Sequence, residues 1–221
     1  MATRTSASAA QSSATKPRIR RLPDDAKREI LDAAEVLLAE RPFLELSVDD
    51  LMARTSMTRS SFYHYFRSLD EVAIALMRRV QGEMMEATAP WLRVDYDGDP
   101  AVGLEQGIRA SAEVFARHGV VLSAIHEASF RYEAVQREWR DGVLEDWIGA
   151  VAAQLRAQRQ RGLTRVEDAE EIARALLLMN TAVLVERLGK QPPDQPEAVA
   201  DTLAEIWIGA LFPESLAARR A

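Results

Sequence analysis

Apolar residues recur every three or four positions from residue 24 almost to the end of the chain, a spacing typical of amphipathic helices. A representative stripe consists of Leu69, Val72, Ala73, Leu76, Val80 and Met84. No segment of useful length alternates apolar and polar residues as a half-buried strand does. The sequence therefore predicts an all-α fold of about nine helices.

The predicted helices divide the chain into three parts. Residues 1–23 carry no acidic side chain and are expected to form a flexible basic arm. Residues 24–67 hold three short helices, of which Ser47 and Thr58 cap the second and third, and predict a helix-turn-helix head. Residues 68–215 predict a larger helical body, with a break near Gly119 and helix C-caps at Gly162 and Gly189.

Charge is distributed unevenly along the chain. The formal net charge is −6, yet residues 1–80 hold 13 basic and 11 acidic side chains, against 15 and 23 in the remainder. A basic front on an acidic body is typical of a DNA-binding head joined to a body that does not touch DNA. A solvated basic tail gives the same composition, so this alternative stays open.

Residues 47–66, SVDDLMARTSMTRSSFYHYF, predict a short helix, a tight turn and a second short helix. The second helix crowds together hydrogen-bonding side chains that can reach phosphates and base edges. Phe62 and Phe66, four residues apart, are expected to point the other way and anchor that helix. Tyr65 is compatible with either side. The segment is therefore a candidate recognition unit for the major groove.

This segment resembles the N-terminal motif of the TetR family of bacterial regulators, with Ser47, Tyr63, Tyr65 and Phe66 in register. The segments RPFLELSVDDL, FYHYF, LLLMN and DTLAEIWIGALF extend the resemblance over residues 18–212, and indicate the EthR-like subgroup of that family. The resemblance implies that the head binds DNA.

Two positions depart from the family pattern. Thr55-Ser56 replaces an Ala-Gly turn, so a residue with a Cβ stands where glycine often supplies a positive φ. Leu69 replaces a lysine that touches a phosphate at the start of the fourth helix. We expect Arg67, two residues earlier, to take over that contact.

The resemblance further implies a cytoplasmic transcriptional regulator, a repressor, that binds a pseudo-palindromic double-stranded DNA operator as a homodimer and is released by a small hydrophobic effector. The expected DNA-binding residues are Arg18, Arg20, Arg21, Ser47, Thr58, Arg59, Ser60, Ser61, Tyr63, His64 and Arg67. No cofactor, metal site, catalytic residue or membrane span is expected, since no motif for these functions is found and no cysteine is present.

The body contains all four tryptophans, which either belong to its core or line a long apolar cavity. In the second interpretation Ser111 and Asn180 supply the few polar groups that orient a ligand. The resemblance favours a ligand cavity between the body helices and carries over to Phe115, Trp139, Asn180 and Trp207 in particular. The expected ligand-binding residues are Leu104, Ile108, Ser111, Phe115, Trp139, Trp147, Met179, Asn180, Val183 and Trp207.

Residues 172–188 are apolar on nearly every side, so this helix must be covered on two faces. Either it is the buried central helix of a monomer or one face meets a second subunit. TetR-like proteins dimerise through their last two long helices, which favours a homodimer. Two other functions remain as alternatives: a hydrophobic-ligand carrier or sensor whose head binds DNA weakly or without specificity, and an enzyme acting on apolar substrates.

Overall fold

The computed structural model describes residues 23–220, and this part of the chain contains helices and connecting turns but no β-strand. Its nine helices are α1 (Pro23–Glu40), α2 (Val48–Ala53), α3 (Arg59–Tyr65), α4 (Leu69–Leu92), α5 (Pro100–Ser129), α6 (Glu133–Arg137, continuing through a π-helical turn at Glu138–Val143 into Leu144–Gln160), α7 (Ala169–Leu188), α8 (Pro196–Leu211) and α9 (Pro213–Arg220). The all-α prediction is confirmed.

Helices α1 to α3 form the head, and hydroxyl caps define where its short helices begin. Ser47 and Asp50 form a capping box at the start of α2, in which each side chain accepts a backbone N–H of the other residue. Thr58 caps α3 by accepting the backbone N–H of Ser61 at 3.3 Å. These side chains satisfy N–H groups that a helix start otherwise leaves without partners, which explains how helices of six and seven residues persist here.

The long helix α4 belongs to two hydrophobic cores. Near its start, Val72, Leu76 and Met77 pack with α1, α2 and α3 in the core of the head. Near its end, Trp91 packs in the core of the body. Residues of α5, among them Val121, also enter the head core, so the head rests directly on the body.

Helix α5 runs through the centre of the body and packs against α4, α7 and α8, while α6 packs against α7. The break predicted near Gly119 is wrong, because α5 continues from Pro100 to Ser129. Gly119 is buried where α5 meets the end of α7, and a Cβ there would overlap the carbonyl oxygen of Leu188. The glycine therefore allows two helices to approach closely instead of ending one.

The two predicted C-cap glycines behave differently. Gly162 follows α6 with a φ of +72°, the left-handed conformation that glycine adopts without strain. Gly189 caps α7 with a φ of −81°, which any residue can adopt. A Cβ on Gly189 would collide with Val185 O and Ser123, so close packing on α5 explains this glycine.

In residues 23–220, no helix combines the length and the apolar character needed to cross a membrane.

We predict that Gly119→Ala lowers the free energy of unfolding by about 1–3 kcal/mol, the usual cost of overpacking. Gly149→Ala is the matched control, because Gly149 is an exposed helix residue whose added Cβ would meet no heavy atom within 4 Å. The control should gain about 0.5–1 kcal/mol from the better helix propensity of alanine. Urea unfolding of both variants at equal protein concentration measures the difference, and equal stability of the two would contradict this account of Gly119.

Candidate DNA-binding face and ligand cavity

Helix α3 presents one polar face to solvent. Ser60, Tyr63, His64 and Arg67 are all exposed, and their spacing of three, four and seven residues places them on one side of the helix. Tyr63 is 51% exposed although its ring is aromatic. The face has the size and chemistry to enter a major groove.

The opposite side of α3 is fixed in the head core. Phe62 is fully buried and Phe66 nearly so, as their spacing predicts. The ring of Phe62 also meets that of Tyr63 edge to face, with centroids 5.3 Å apart. Tyr65 is half-buried and packs against the head core. The aromatic residues therefore hold the exposed face in a defined orientation.

Three of the expected DNA-binding hydroxyls are engaged inside the head. The Ser47 hydroxyl donates to Asp50, and the hydroxyls of Thr58 and Ser61 lie 3.0 Å apart and share a hydrogen bond. These groups first fix helix starts. Contact with a phosphate is still open to Ser47 and Thr58, since both are exposed, whereas Ser61 is half-buried.

Arg59 lies beside the exposed face and is paired within the head. Its Nη1 is 2.6 Å from Oδ2 of Asp49 in α2. A hydrogen bond to Tyr63 and the charge of Asp49 raise the pKa of Arg59 above its usual value. Arg59 therefore stays protonated, and its pairing links α2 to α3.

The side chain of Arg67 is 92% exposed, and its Nε lies 3.9 Å from Glu71 Oε1. Leu69, by contrast, is half-buried and packs against the head core. The chain thus has an extended cation next to the position where the family pattern has its lysine. Arg18, Arg20 and Arg21 lie outside the described residues.

The turn between α2 and α3 accommodates Ser56 without strain. Within residues 23–220 no residue other than glycine has a positive φ. The carboxylate of Glu29 in α1 accepts the backbone N–H of Ser56 at 2.7 Å and its hydroxyl at 2.8 Å. Serine therefore gains a contact that glycine lacks, and the departure from the Ala-Gly pattern leaves the turn intact.

An apolar cavity lies between α4, α5, α6 and α7 on the side of the body near the head. We call it the proximal chamber, and it encloses about 110 Å³. Five of the expected ligand-binding residues line it: Ser111, Phe115, Trp139, Trp147 and Asn180. Its size is below the roughly 150 Å³ of an apolar cavity that binds benzene. A larger ligand would have to separate the surrounding helices.

A second cavity, which we call the distal chamber, lies farther from the head and encloses about 40 Å³. It shares four lining residues with the proximal chamber: Ser111, Trp147, Leu177 and Asn180. Leu104, Ile108 and Trp207 line the distal chamber, as expected of ligand-binding residues. The two chambers therefore adjoin each other along the body.

Met179 and Val183 were also expected in the cavity, but they line neither chamber. The inward side of α7 is formed by Leu177, Asn180 and Leu184. A helix turns by about 100° per residue, so Met179 and Val183 fall on another side of α7. Apolar character alone did not reveal which side would face the cavity.

The sequence analysis missed the contribution of α4, whose Met77, Val80, Gln81 and Met84 form one wall of the proximal chamber. The stripe was visible in the sequence but is equally typical of ordinary core packing. His126 was interpreted as a surface or capping residue and also lines this chamber, where burial lowers its pKa. The imidazole is therefore neutral at neutral pH and suits an apolar wall.

Neighbouring arginines on α4 tie that helix to the body and to the head. Arg78 pairs with Glu138 and with Asp146 on α6, the latter at 2.5 Å. Arg79 lies 2.8 Å from Asp32 and 2.6 Å from Glu35, both on α1. The wall of the cavity and the head are thus connected by charged contacts as well as by apolar packing.

His118 of α5 joins the same junction between head and body. Its Nε2 lies 3.0 Å from Glu83 of α4, and its Nδ1 lies 3.4 Å from Glu35 of α1. The histidine had been interpreted as a surface or capping residue, and instead it bridges three helices. Among residues 23–220, no three His, Cys, Asp or Glu side chains are placed to hold a metal ion.

Comparisons with known proteins agree with this architecture. Residues 30–76 match the model of bacterial regulatory proteins of the TetR family, and residues 104–213 match that of the C-terminal domain of the transcriptional regulator EthR. The HTH-type transcriptional regulator EthR of Mycobacterium tuberculosis is 35% identical over 212 residues, which cover 93% of this chain and 98% of the relative. EthR of Mycolicibacterium smegmatis is 31% identical over 195 residues, which cover 86% and 87% of the two chains.

Among solved structures, Salmonella enterica GusR has the same fold, with a TM-score of 0.71 at 19% identity over 87% of this chain and 98% of that chain. The family is one of regulators and not of enzymes. The match to EthR extends over nearly the whole length of both proteins. The chain therefore belongs to the TetR family of bacterial regulatory proteins and is an EthR-like DNA-binding transcriptional regulator.

Proposed function

We propose that the protein is a cytoplasmic repressor that binds a pseudo-palindromic operator as a homodimer and leaves it when a small hydrophobic effector enters the body. The observation that carries this proposal is the double role of α4. Met77 belongs to the head core and also lines the proximal chamber. A ligand that moves this wall therefore moves part of the head.

The DNA contacts in this proposal are divided by geometry. Tyr63, His64 and Ser60 form the exposed face that reads base edges in the major groove. Arg67, Ser47 and Thr58 flank that face and contact phosphates. The basic residues before α1 add affinity that depends on salt, since each neutralised phosphate releases counterions.

The dimer in this proposal forms through α7 and α8, which leave apolar side chains exposed in the single chain. Leu178 of α7 is 47% exposed and Ile206 of α8 is 43% exposed. Ala175 and Ala182 lie three residues before and four residues after Leu178, and both are exposed. Small and apolar residues at this spacing allow helices of two subunits to pack closely.

The effector acts by shifting an equilibrium between two separations of the heads. A ligand shifts this equilibrium only by its difference in affinity for the two states. The proximal chamber is too narrow for a ligand much larger than one aromatic ring, as its volume of about 110 Å³ indicates. A larger apolar ligand therefore favours the state in which α4 has moved and the head spacing no longer fits the operator.

The alternative of a carrier with a weak head rested on Ser56 and Leu69. Ser56 is accommodated by Glu29, and Arg67 is exposed beside Leu69. The full-length similarity to EthR likewise does not favour the carrier. Titration of the protein against DNA from its own upstream region, followed by fluorescence anisotropy, tests the repressor. Tight binding that resists random competitor DNA supports it, and binding no tighter than to random DNA overturns it.

We predict that Tyr63→Ala weakens operator binding about tenfold or more, because a good base contact contributes about 1–3 kcal/mol. Val36→Ala is the control, since Val36 is 49% exposed on α1 and lies outside the α3 face. Anisotropy titrations measure both variants, and dimerisation and ligand binding are measured in parallel. Equal operator affinity of the two variants would contradict the assignment of Tyr63, as would joint loss of all three activities in Tyr63→Ala.

A charge at the proposed dimer face should separate the subunits. We expect Leu178→Glu to sediment as a monomer at concentrations where the unchanged protein is a dimer, because burial of an unpaired carboxylate is costly. Leu163→Glu introduces the same charge at a leucine that is 38% exposed in the loop after α6. Analytical ultracentrifugation distinguishes the two, and a dimeric Leu178→Glu variant would place the interface elsewhere.

A further inference from the structure

Two tryptophans of the distal chamber have buried N–H groups without a hydrogen-bond partner. Trp91 of α4 is 4% exposed and Trp207 of α8 is 3% exposed, and both line the chamber. The indole nitrogen of each finds no partner among the described residues. Buried indole N–H groups usually do find one, so this pair requires an explanation.

A third polar group in the same place is also without a partner. Oδ1 of Asn180 is buried and unpaired, and Asn180 lines both chambers. The hydroxyl of Thr88, another lining residue, donates to Met84 O of its own helix at 2.9 Å. The remaining wall is largely apolar, with Leu92, Leu104, Ile108, Val151 and Leu177. Unsatisfied polar groups are thus concentrated at one end of an apolar cavity.

The chemistry of these groups restricts what they can bind. An indole N–H is a donor only, so its partner must be an acceptor. No lysine or arginine lines either chamber among the described residues. An ionised carboxylate would therefore be buried without a counter-charge, which is strongly unfavourable. A neutral acceptor such as a carbonyl oxygen fits both conditions.

We propose that the distal chamber binds a neutral hydrogen-bond acceptor of the effector, the carbonyl oxygen of a ketone, ester or amide, through the indole N–H groups of Trp91 and Trp207. The apolar remainder of the effector then occupies the proximal chamber. This inference rests on the proposed function, because it names the class of effector. Trp91 belongs to α4, so the polar contact acts on the helix that reaches the head.

Two matched probes test the inference without DNA. 4-Phenyl-2-butanone and n-butylbenzene share a phenyl ring and a four-carbon chain and differ by one carbonyl group. Their dissociation constants are measured by isothermal titration calorimetry, with protein titrated into ligand, for the unchanged protein, Trp91→Phe, Trp207→Phe and Trp139→Phe. Phenylalanine removes the N–H and keeps an aromatic ring. Trp139 lines only the proximal chamber and is the control.

We expect Trp91→Phe and Trp207→Phe each to weaken ketone binding about threefold to tenfold, the usual effect of one hydrogen bond. Binding of n-butylbenzene to both variants should change less than about twofold, which also shows that the cavity remains folded. Trp139→Phe should not discriminate between the probes. Loss of affinity for both probes alike, or for neither, in the Trp91 and Trp207 variants overturns the inference alone. Failure of the unchanged protein to bind either probe overturns the effector site itself.

Discussion

The packing of α4 into two hydrophobic cores is the constraint on which the rest of the structure depends. Its first turns are buried among the head helices, and its later turns line the cavity and the body core. Arg78 and Arg79 add ion pairs to α6 and to α1 on either side of this helix. Packed helices move as stiff units, so a displaced cavity wall also displaces the head.

The closed form of the cavity gives this connection a function. The body buries its tryptophans so tightly that the chambers enclose only about 110 and 40 Å³. Ligands that need more space bind at the expense of helix packing, and their affinity difference between the two states becomes the regulatory free energy. Allosteric couplings of this kind are typically about 1–3 kcal/mol. Slight helix movement therefore suffices to change operator affinity by tenfold or more.

Local signals predicted the head well, because capping and spacing are properties of neighbouring residues. Ser47 and Thr58 cap α2 and α3, and Phe62 and Phe66 are buried as their spacing indicates. Gly119 was misinterpreted because its role depends on a helix 69 residues farther along the chain, at Leu188. The inward side of α7 and the cavity wall on α4 likewise depend on tertiary packing, which periodicity cannot assign.

The most direct test of the account is the separation of the two heads in the dimer, with and without ligand. The chain has no cysteine, so Ala53→Cys on the exposed surface of α2 provides a single site for a spin label. Double electron–electron resonance then measures the label-to-label distance in the free dimer and with saturating 4-phenyl-2-butanone. The account predicts that the ligand shifts this distance distribution and weakens operator binding together. An unchanged distribution with ligand bound would contradict it.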